Sequence, residues 1–517
     1  MAKTKKTILK KVIEKLSRAF TFDPLHLAAL TVILLASWLP IINMMLPTSF
    51  SADTVAQILW ARGYPAFDPS LRELLPGYVA SDHHPYLDTL IYGAFDWVGH
   101  GLLKNDAVGF MLYGASQAVL TAFSLMFITC YVVDRLKAPK TIGWLAFAFY
   151  ALVPTFAMHS QVIVKDLTSM PFFIFWVTCY LAMLKQTCRC KAREHSASGR
   201  GKVSGRVIAG LILFGILAAL MRKTLIYVEL LALLIALFVV AGNRIRVFAV
   251  MLVCAAVVSV FVPKVVLPAL NVAPGGSQEA LAVPAQQTTK VLLDHYNEIS
   301  EQDLSTISRV LDIDTAREKY SATSADPVKD NAVNRNASTE DKIAYLFAWL
   351  RQGFTYPESY AEAVSYQSRF YLYTEDPDEQ MAVEMPSIRW GWSEHGGNDL
   401  LPNYKPWDNS SHYPQTEGQQ AVWAYMQGFW AASPVLTAFV RCPTYIFVLP
   451  LIALIVCLWR RNWRSLVALM PLFVSLCVIF VAPAALGRYA YNCLYLAPLF
   501  IALPLLNWKT NERVKTK

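Results

Sequence analysis

Charge is what this sequence is short of. Asp, Glu, Lys and Arg make up 16% of its 517 residues, while 55% are hydrophobic. Soluble globular domains carry about one-quarter charged residues, so the deficit excludes an ordinary soluble enzyme and points to a chain held largely in lipid. Cysteine is nearly silent. Cys130, Cys179, Cys254, Cys457, Cys477 and Cys493 fall in apolar runs and Cys442 at the edge of one. The stretch 271–441 has none, so no disulfide staples it. Cys188, Cys190 and His195 share a basic loop but lack the fourth ligand that structural zinc needs, and no metal or other cofactor is expected. Internal repeats and low-complexity linkers are absent. So is a small-residue cleavage site after the first apolar run, which is therefore expected to remain as an anchor. The net charge of +9 is not a nucleic-acid face. It is divided among short segments between apolar runs, the pattern of loops facing anionic lipid, and no nucleic-acid partner is expected.

What the chain has in abundance is apolar runs long enough to cross a bilayer, which takes roughly 17–25 residues. They lie near Leu27–Leu46, Ala107–Val132, Thr141–Met158, Ser169–Leu184, Val207–Met221, Thr224–Ala241, Val247–Leu270, Pro443–Trp459, Ser465–Pro483 and Tyr491–Trp508. The expected fold class is an α-helical polytopic membrane protein of about ten transmembrane helices, with a mostly helical or irregular outer domain. The expected domains are a basic cytoplasmic N-terminus (1–26), a transmembrane core (27–270) with an outer loop (47–106), an extracytoplasmic domain (271–441), C-terminal transmembrane helices (442–508) and a cytoplasmic tail (509–517).

Orientation follows from lysine and arginine. Lys3, Lys5, Lys6, Lys10, Lys11, Lys15 and Arg18 precede the first run. With that end inside, each later inner connection is also basic. These hold Arg135, Lys137 and Lys140; Lys185 through Arg206; Arg244 and Arg246; Arg460, Arg461 and Arg464; and Lys509 to Lys517. The alternation predicts a multi-pass protein of the cell membrane with both termini cytoplasmic. In the large outer segment, Thr289–Val310 and Glu340–Gln352 show helical apolar spacing. The remainder, rich in Pro, Asn, Asp, Tyr and Trp, reads as irregular.

Polar chemistry gathers at the outer ends of the runs. The residues are Asp53, Asp82, His83, His84 and Asp88; Lys165 and Asp166; Arg222 and Lys223; Arg441; and Arg488 with Tyr489. Glu229 is the clearest charge within a run. Each has a plainer reading. Asp53 opens an amphipathic stretch, where an acid suits the helix dipole. Asp166 and Thr168 precede a span with Pro171 near its start, a good N-terminal cap. Arg222 and Lys223 could mark a tight outer turn, and Arg488 and Tyr489 could anchor the interface. His83 and His84 with Asp82 could ligate a metal, but neighbours on an ordered element point apart. Trp390, Trp392, Trp407, Trp423 and Trp430 could stack on sugars, and an aromatic belt is the simpler account.

The order of these features resembles the GT-C glycosyltransferases, membrane enzymes that use polyprenyl-phosphate sugars. The resemblance rests on Ser51-Ala52-Asp53-Thr54-Val55-Ala56-Gln57 after the first span. It continues with His83-His84-Pro85-Tyr86-Leu87 running on to Gly99 or Gly101, and Gln161-Val162-Ile163-Val164-Lys165-Asp166 before the fourth span. His84 stands where that superfamily's lipid-transfer enzymes carry lysine, Tyr86 replaces a second proline, and the paired acids are reduced to Asp53, with Asp68 and Glu73 further on. In the outer segment, Asp294-His295-Tyr296-Asn297-Glu298-Ile299 and Glu318-Lys319-Tyr320 look like an uncharacterised bacterial membrane family, as does Ser324-Ala325-Asp326-Pro327-Val328-Lys329.

The resemblance implies an enzyme that moves a sugar from a polyprenyl-phosphate donor to an envelope glycan or glycopolymer at the outer bilayer face. It implies Asp53 as catalytic base and His83, His84, Lys165 and Asp166 as substrate-binding residues. Arg222, Lys223, Arg488 and Tyr489 would hold the lipid phosphate. The chemistry fits these residue types, since an attacking hydroxyl needs a base while a phosphate leaving group needs cations. The alternative is a lipid-linked saccharide flippase or other transporter, which would show polar or broken spans near the midplane. A non-enzymatic envelope assembly protein is a third reading.

Overall fold

A computed structural model describes residues 19–50, 52–68, 73–188, 202–371 and 416–508. Helices dominate. Four of them, Pro24–Met45, Asp106–Arg135, Lys165–Cys188 and Arg244–Ala269, are long and apolar enough to cross a membrane. The remaining expected runs hold shorter apolar helices, below that length: Lys140–Leu152, Gly205–Met221, Leu225–Ala236, Thr444–Trp459 and Met470–Phe480, and Ala497–Leu505. Proline accounts for several interruptions, because it lacks an amide donor and crowds the preceding turn. The expected span Thr141–Met158 breaks at Val153, ahead of Pro154. The span Ser465–Pro483 breaks at Leu469, two residues before Pro471. Pro24 instead starts its helix, and Asp23 caps it by accepting from the amides of Leu25 and His26.

These helices share one continuous apolar core, from Leu34 and Trp38 through Phe173 and Trp176 to Tyr491 and Phe500. Arg244–Ala269 joins it only along one side, through Val247, Val250 and Cys254. Its Phe248, Leu252 and Phe261 are exposed, an apolar face suited to lipid. The outer domain has a separate core of Leu281, Val291, Leu292, Ile307, Leu311, Val328 and Tyr345. More of it is helical than its composition led us to expect. Besides Ala282–Asp294 and Thr339–Thr355, it contains Ile313–Lys319, Asp326–Ala332 and Pro357–Ser368. Local capping outweighs poor propensity here: Ser300, Asp312 and Ser338 each accept from a first-turn amide.

Two short parallel strand pairs position the outer segments. Ser49–Phe50 pairs with Val162–Ile163, which brings the chain after the first span beside the chain before the fourth. Ala80–Ser81 pairs with Val272–Ala273, tying the outer loop to the start of the outer domain. The outer domain also seats on the turn before Arg488. The Ala325 amide donates to the Pro483 carbonyl at 2.7 Å, and the Tyr371 hydroxyl accepts from the Leu486 amide at 3.2 Å.

Candidate functional site

Asp53 lies in the first turn of the helix Ala52–Ala61. Thr54 pins that helix by donating to the Ile163 carbonyl at 2.6 Å. Gln57, one turn on, donates to the Pro85 carbonyl at 3.0 Å and to Thr89 Oγ1 at 3.2 Å. The strand Val162–Ile163 leads directly into Lys165 and Asp166, and Pro85 follows His84. Three distant segments are thus brought together by backbone contacts before any charge is considered.

Charge then closes the cluster. Asp53 Oδ2 meets Lys165 Nζ at 3.0 Å and Arg488 Nη1 at 3.3 Å. Lys165 Nζ also lies 3.2 Å from His84 Nδ1. An ammonium can only donate, so Nδ1 accepts and the ring hydrogen resides on Nε2. Asp166, buried, takes Arg222 Nε at 3.1 Å and faces Arg488 Nε at 3.8 Å. Both guanidinium groups lie over the Tyr489 ring, at 6.0 and 5.8 Å from its centroid. Asn492 accepts from Arg222 at 3.4 Å and donates to Ser475 at 3.0 Å, fixing the arginine from below.

Burial alone would raise the Asp53 carboxyl, but Lys165, His84 and Arg488 outweigh it and hold the group well below the usual carboxylate range. Burial pushes His84 well below the ordinary imidazole value, so this ring is neutral at neutral pH. Asp88 is wholly buried and its carboxyl has no hydrogen-bond partner among the described residues. Burial raises it far above the usual range, with Lys165 opposing and Asp166 adding to the effect. Burial thus favours its protonated form. The cluster sets the cations Lys165, Arg222 and Arg488 against the anions Asp53 and Asp166, an excess of one positive charge. Every polar contact of Asp53 among the described residues runs through Oδ2; Oδ1 is open.

The other expected residues are placed as follows. Lys223 is not in the Asp53 cluster; its ammonium meets Asp82 Oδ2 at 2.7 Å. Arg222 and Lys223 do lie in a short connection between two helices, but it has three residues, Arg222 to Thr224, rather than the two expected, since one helix ends at Met221 and the next begins at Leu225. His83 touches His84 edge to face, with centroids 4.7 Å apart. The two rings do not point apart as expected, because Asp82–His84 is a turn rather than a regular element. Neither Asp53 nor Asp166 caps a helix through its side chain. Arg441 contacts neither of them. Trp423 and Trp430 pack on the main core, while Trp390, Trp392 and Trp407 lie outside the described residues, as do Cys190 and His195. Among the described residues, no three metal-ligating side chains converge. Sequence reasoning missed Thr54, Gln57 and Asn492. Gln57 was visible as the residue one helical turn after Asp53, and Asn492 as a lone amide in an apolar run.

Fold and site define a helical membrane protein with a charged cluster where separated helix ends meet, beside a second helical domain that contacts the turn before Arg488. A model of a family of unknown function, DUF6020, matches residues 75–517, and the chain belongs to that family. The matched region contains every charged residue of the cluster except Asp53. No curated protein and no solved structure matches the chain.

Proposed function

We propose that this protein is a GT-C-type glycosyltransferase that moves a sugar from a polyprenyl-phosphate donor to a hydroxyl of an envelope glycan or glycopolymer. The carrying observation is the cation-rich cluster of Asp53, His84, Lys165, Asp166, Arg222 and Arg488, assembled from five separated parts of the chain. We place it at the outer face of the cell membrane, with about ten spans and both termini cytoplasmic, on the basic inner connections described above.

The chemistry is a single inverting displacement. The acceptor hydroxyl oxygen bonds to the anomeric carbon as the bond from that carbon to the phosphate oxygen breaks. The leaving phosphate takes the electron pair and needs cations, not a proton. Arg488 and Arg222, held on Tyr489, are the groups for that phosphate. The acceptor proton goes to Asp53 through its open Oδ1. A carboxylate with so low a pKa is a weak base, so it orients the hydroxyl first and takes the proton late, as the oxygen becomes acidic. Lys165 holds Asp53 and His84 in register, and neutral His84 and His83 offer hydrogen bonds to the sugar.

The test is transfer of labelled sugar from polyprenyl-phosphate donors to envelope glycan by the purified protein in proteoliposomes. It is paired with a glycan comparison between a deletion strain and its parent. Transfer that depends on Asp53 supports the reading. Transbilayer movement of a lipid-linked saccharide without transfer would instead establish the flippase.

A further inference from the structure

The outer domain enters at Val272–Ala273, paired with Ala80–Ser81 of the outer loop. Immediately after this pairing the chain turns through Gly275 and Gly276 over Asp82. At Gly275 a Cβ would lie 3.0 Å from the Asp82 carbonyl oxygen and 3.5 Å from Lys223 Nζ. At Gly276 a Cβ would collide with the amide of Gln278, whose side chain folds back over it. Two consecutive positions are thus free of side chains where the two segments cross.

Gln278 is fully buried, yet neither its Oε1 nor its Nε2 has a hydrogen-bond partner among the described residues. A buried amide left unpaired is destabilising, and native structures seldom keep one without a ligand or water to satisfy it. Glu279, the next residue, acts electrostatically on His83 across the seam. His83 in turn touches His84 of the charged cluster. The side chains at this crossing are therefore an amide with both ends open, an imidazole, a carboxylate and the Asp82–Lys223 pair.

We infer that the crossing of Asp82–His83 with Gly275–Glu279 is the subsite for the acceptor, a polyhydroxylated glycan, with Gln278 as its recognition residue. This rests on the glycosyl-transfer reading and deepens it. A primary amide is both donor and acceptor, the pairing that adjacent sugar hydroxyls require. The seam abuts the cluster through His83 and His84, so a glycan bound there can present a hydroxyl to Asp53. The glycines let the two backbones cross closely and let the Gln278 amide fold over the crossing. The outer domain thereby has a role in choosing the acceptor.

The test uses the full chain in nanodiscs and two probes. One is undecaprenyl phosphate; the other is the polysaccharide fraction released from the envelope of a strain lacking this gene. Gln278→Leu is expected to weaken polysaccharide binding at least tenfold and leave undecaprenyl phosphate binding unchanged. A purely structural Gln278 would be replaced by leucine with no loss of binding, so parental polysaccharide affinity in that variant overturns the subsite. Failure of the parent protein to bind the polysaccharide overturns it too. Should Gln278→Leu fail to fold, His83→Gln in the adjoining turn decides, with the same tenfold loss expected and unchanged binding again fatal. Undecaprenyl phosphate binding that is indifferent to Arg488→Ala is the separate signature of a wrong glycosyl-transfer reading.

Discussion

Two buried ionic clusters in this molecule are built with opposite arithmetic. In the outer domain, Lys329 is buried among Glu279 at 2.9 Å, Asp326 at 2.9 Å and Asp330 at 3.6 Å. One cation is surrounded by a surplus of acid. Burial pushes the Asp330 carboxyl up to about 6, with Lys329 opposing and Asp326 and Glu279 adding to the rise. At the helix ends, Asp53 meets two cations and its carboxyl is held far down. The outer-domain cluster satisfies its buried charge locally and has nothing left to offer an anion. The Asp53 cluster retains a positive excess and an open carboxylate oxygen, as a site for an anionic donor requires. Burial alone therefore does not mark a functional site. The sign of the residual charge separates the two.

The largest effect that would sharpen this contrast is catalytic. Asp53→Asn keeps the shape and much of the hydrogen bonding but cannot accept a proton. Transfer should fall by roughly 10²–10⁴, read as initial rates on folded, purified protein. Near-parental rates would break the contrast at its functional end. Next is Arg488→Ala, which should weaken undecaprenyl phosphate binding by about ten- to a hundredfold, the loss of one charge-assisted contact. Arg488→Lys should recover part of it, keeping the charge but not the planar fork. Binding can be followed by native mass spectrometry.

Lys329→Met tests the other end. It strands three carboxyl groups and should destabilise the outer domain by roughly 1–3 kcal/mol, less than for a fully buried pair because Glu279 and Asp326 are partly solvated. Calorimetry would register that change, while undecaprenyl phosphate affinity should stay at the parental value. The smallest effect concerns pH. Asp330 binds its proton more tightly folded than unfolded. Its contribution is therefore most favourable below its unfolded value near 3.8 and is lost as pH rises to about 6. Asp53 runs the other way: its stabilisation is present above its unfolded value and disappears as pH falls through its lower folded one. Asp330→Asn should flatten the pH 4–6 slope in outer-domain melting, a change under roughly 1 kcal/mol after solvent screening. An unchanged slope would assign it to another group.

Much of the architecture could be read from composition, because twenty-residue apolar runs and basic loops are long-range signals averaged over many residues. The breaks at Pro154 and Pro471 were less visible, since proline in an apolar run reads equally as a helix start. The cluster was legible as a set of polar residues at helix ends, including Asp53, Lys165, Asp166, Arg222 and Arg488. Their pairings were not. Asp53 and Arg488 are 435 positions apart, and no local pattern encodes which cation meets which acid. Asp82 with Lys223 illustrates the point: adjacent cations, Arg222 and Lys223, go to different partners because one sits at a helix end and the other on the turn. Gln278 was illegible for a different reason. An isolated glutamine carries no periodic signal, and nothing local marks it as a buried amide folded over Gly276.

The long reach between Asp53 and Arg488 also has a consequence for biogenesis. Asp53, His84, Lys165, Asp166 and Arg222 are all synthesised before the outer domain, but Arg488 follows it, ahead of the final apolar helix. A nascent chain thus carries an incomplete constellation through most of its insertion. The guanidinium that contacts both carboxylates arrives almost last, after the whole of the separate helical domain has been synthesised. Ribosomes that stall in that domain leave a product that lacks the residue joining Asp53 to Asp166, so an incomplete chain cannot close the cluster.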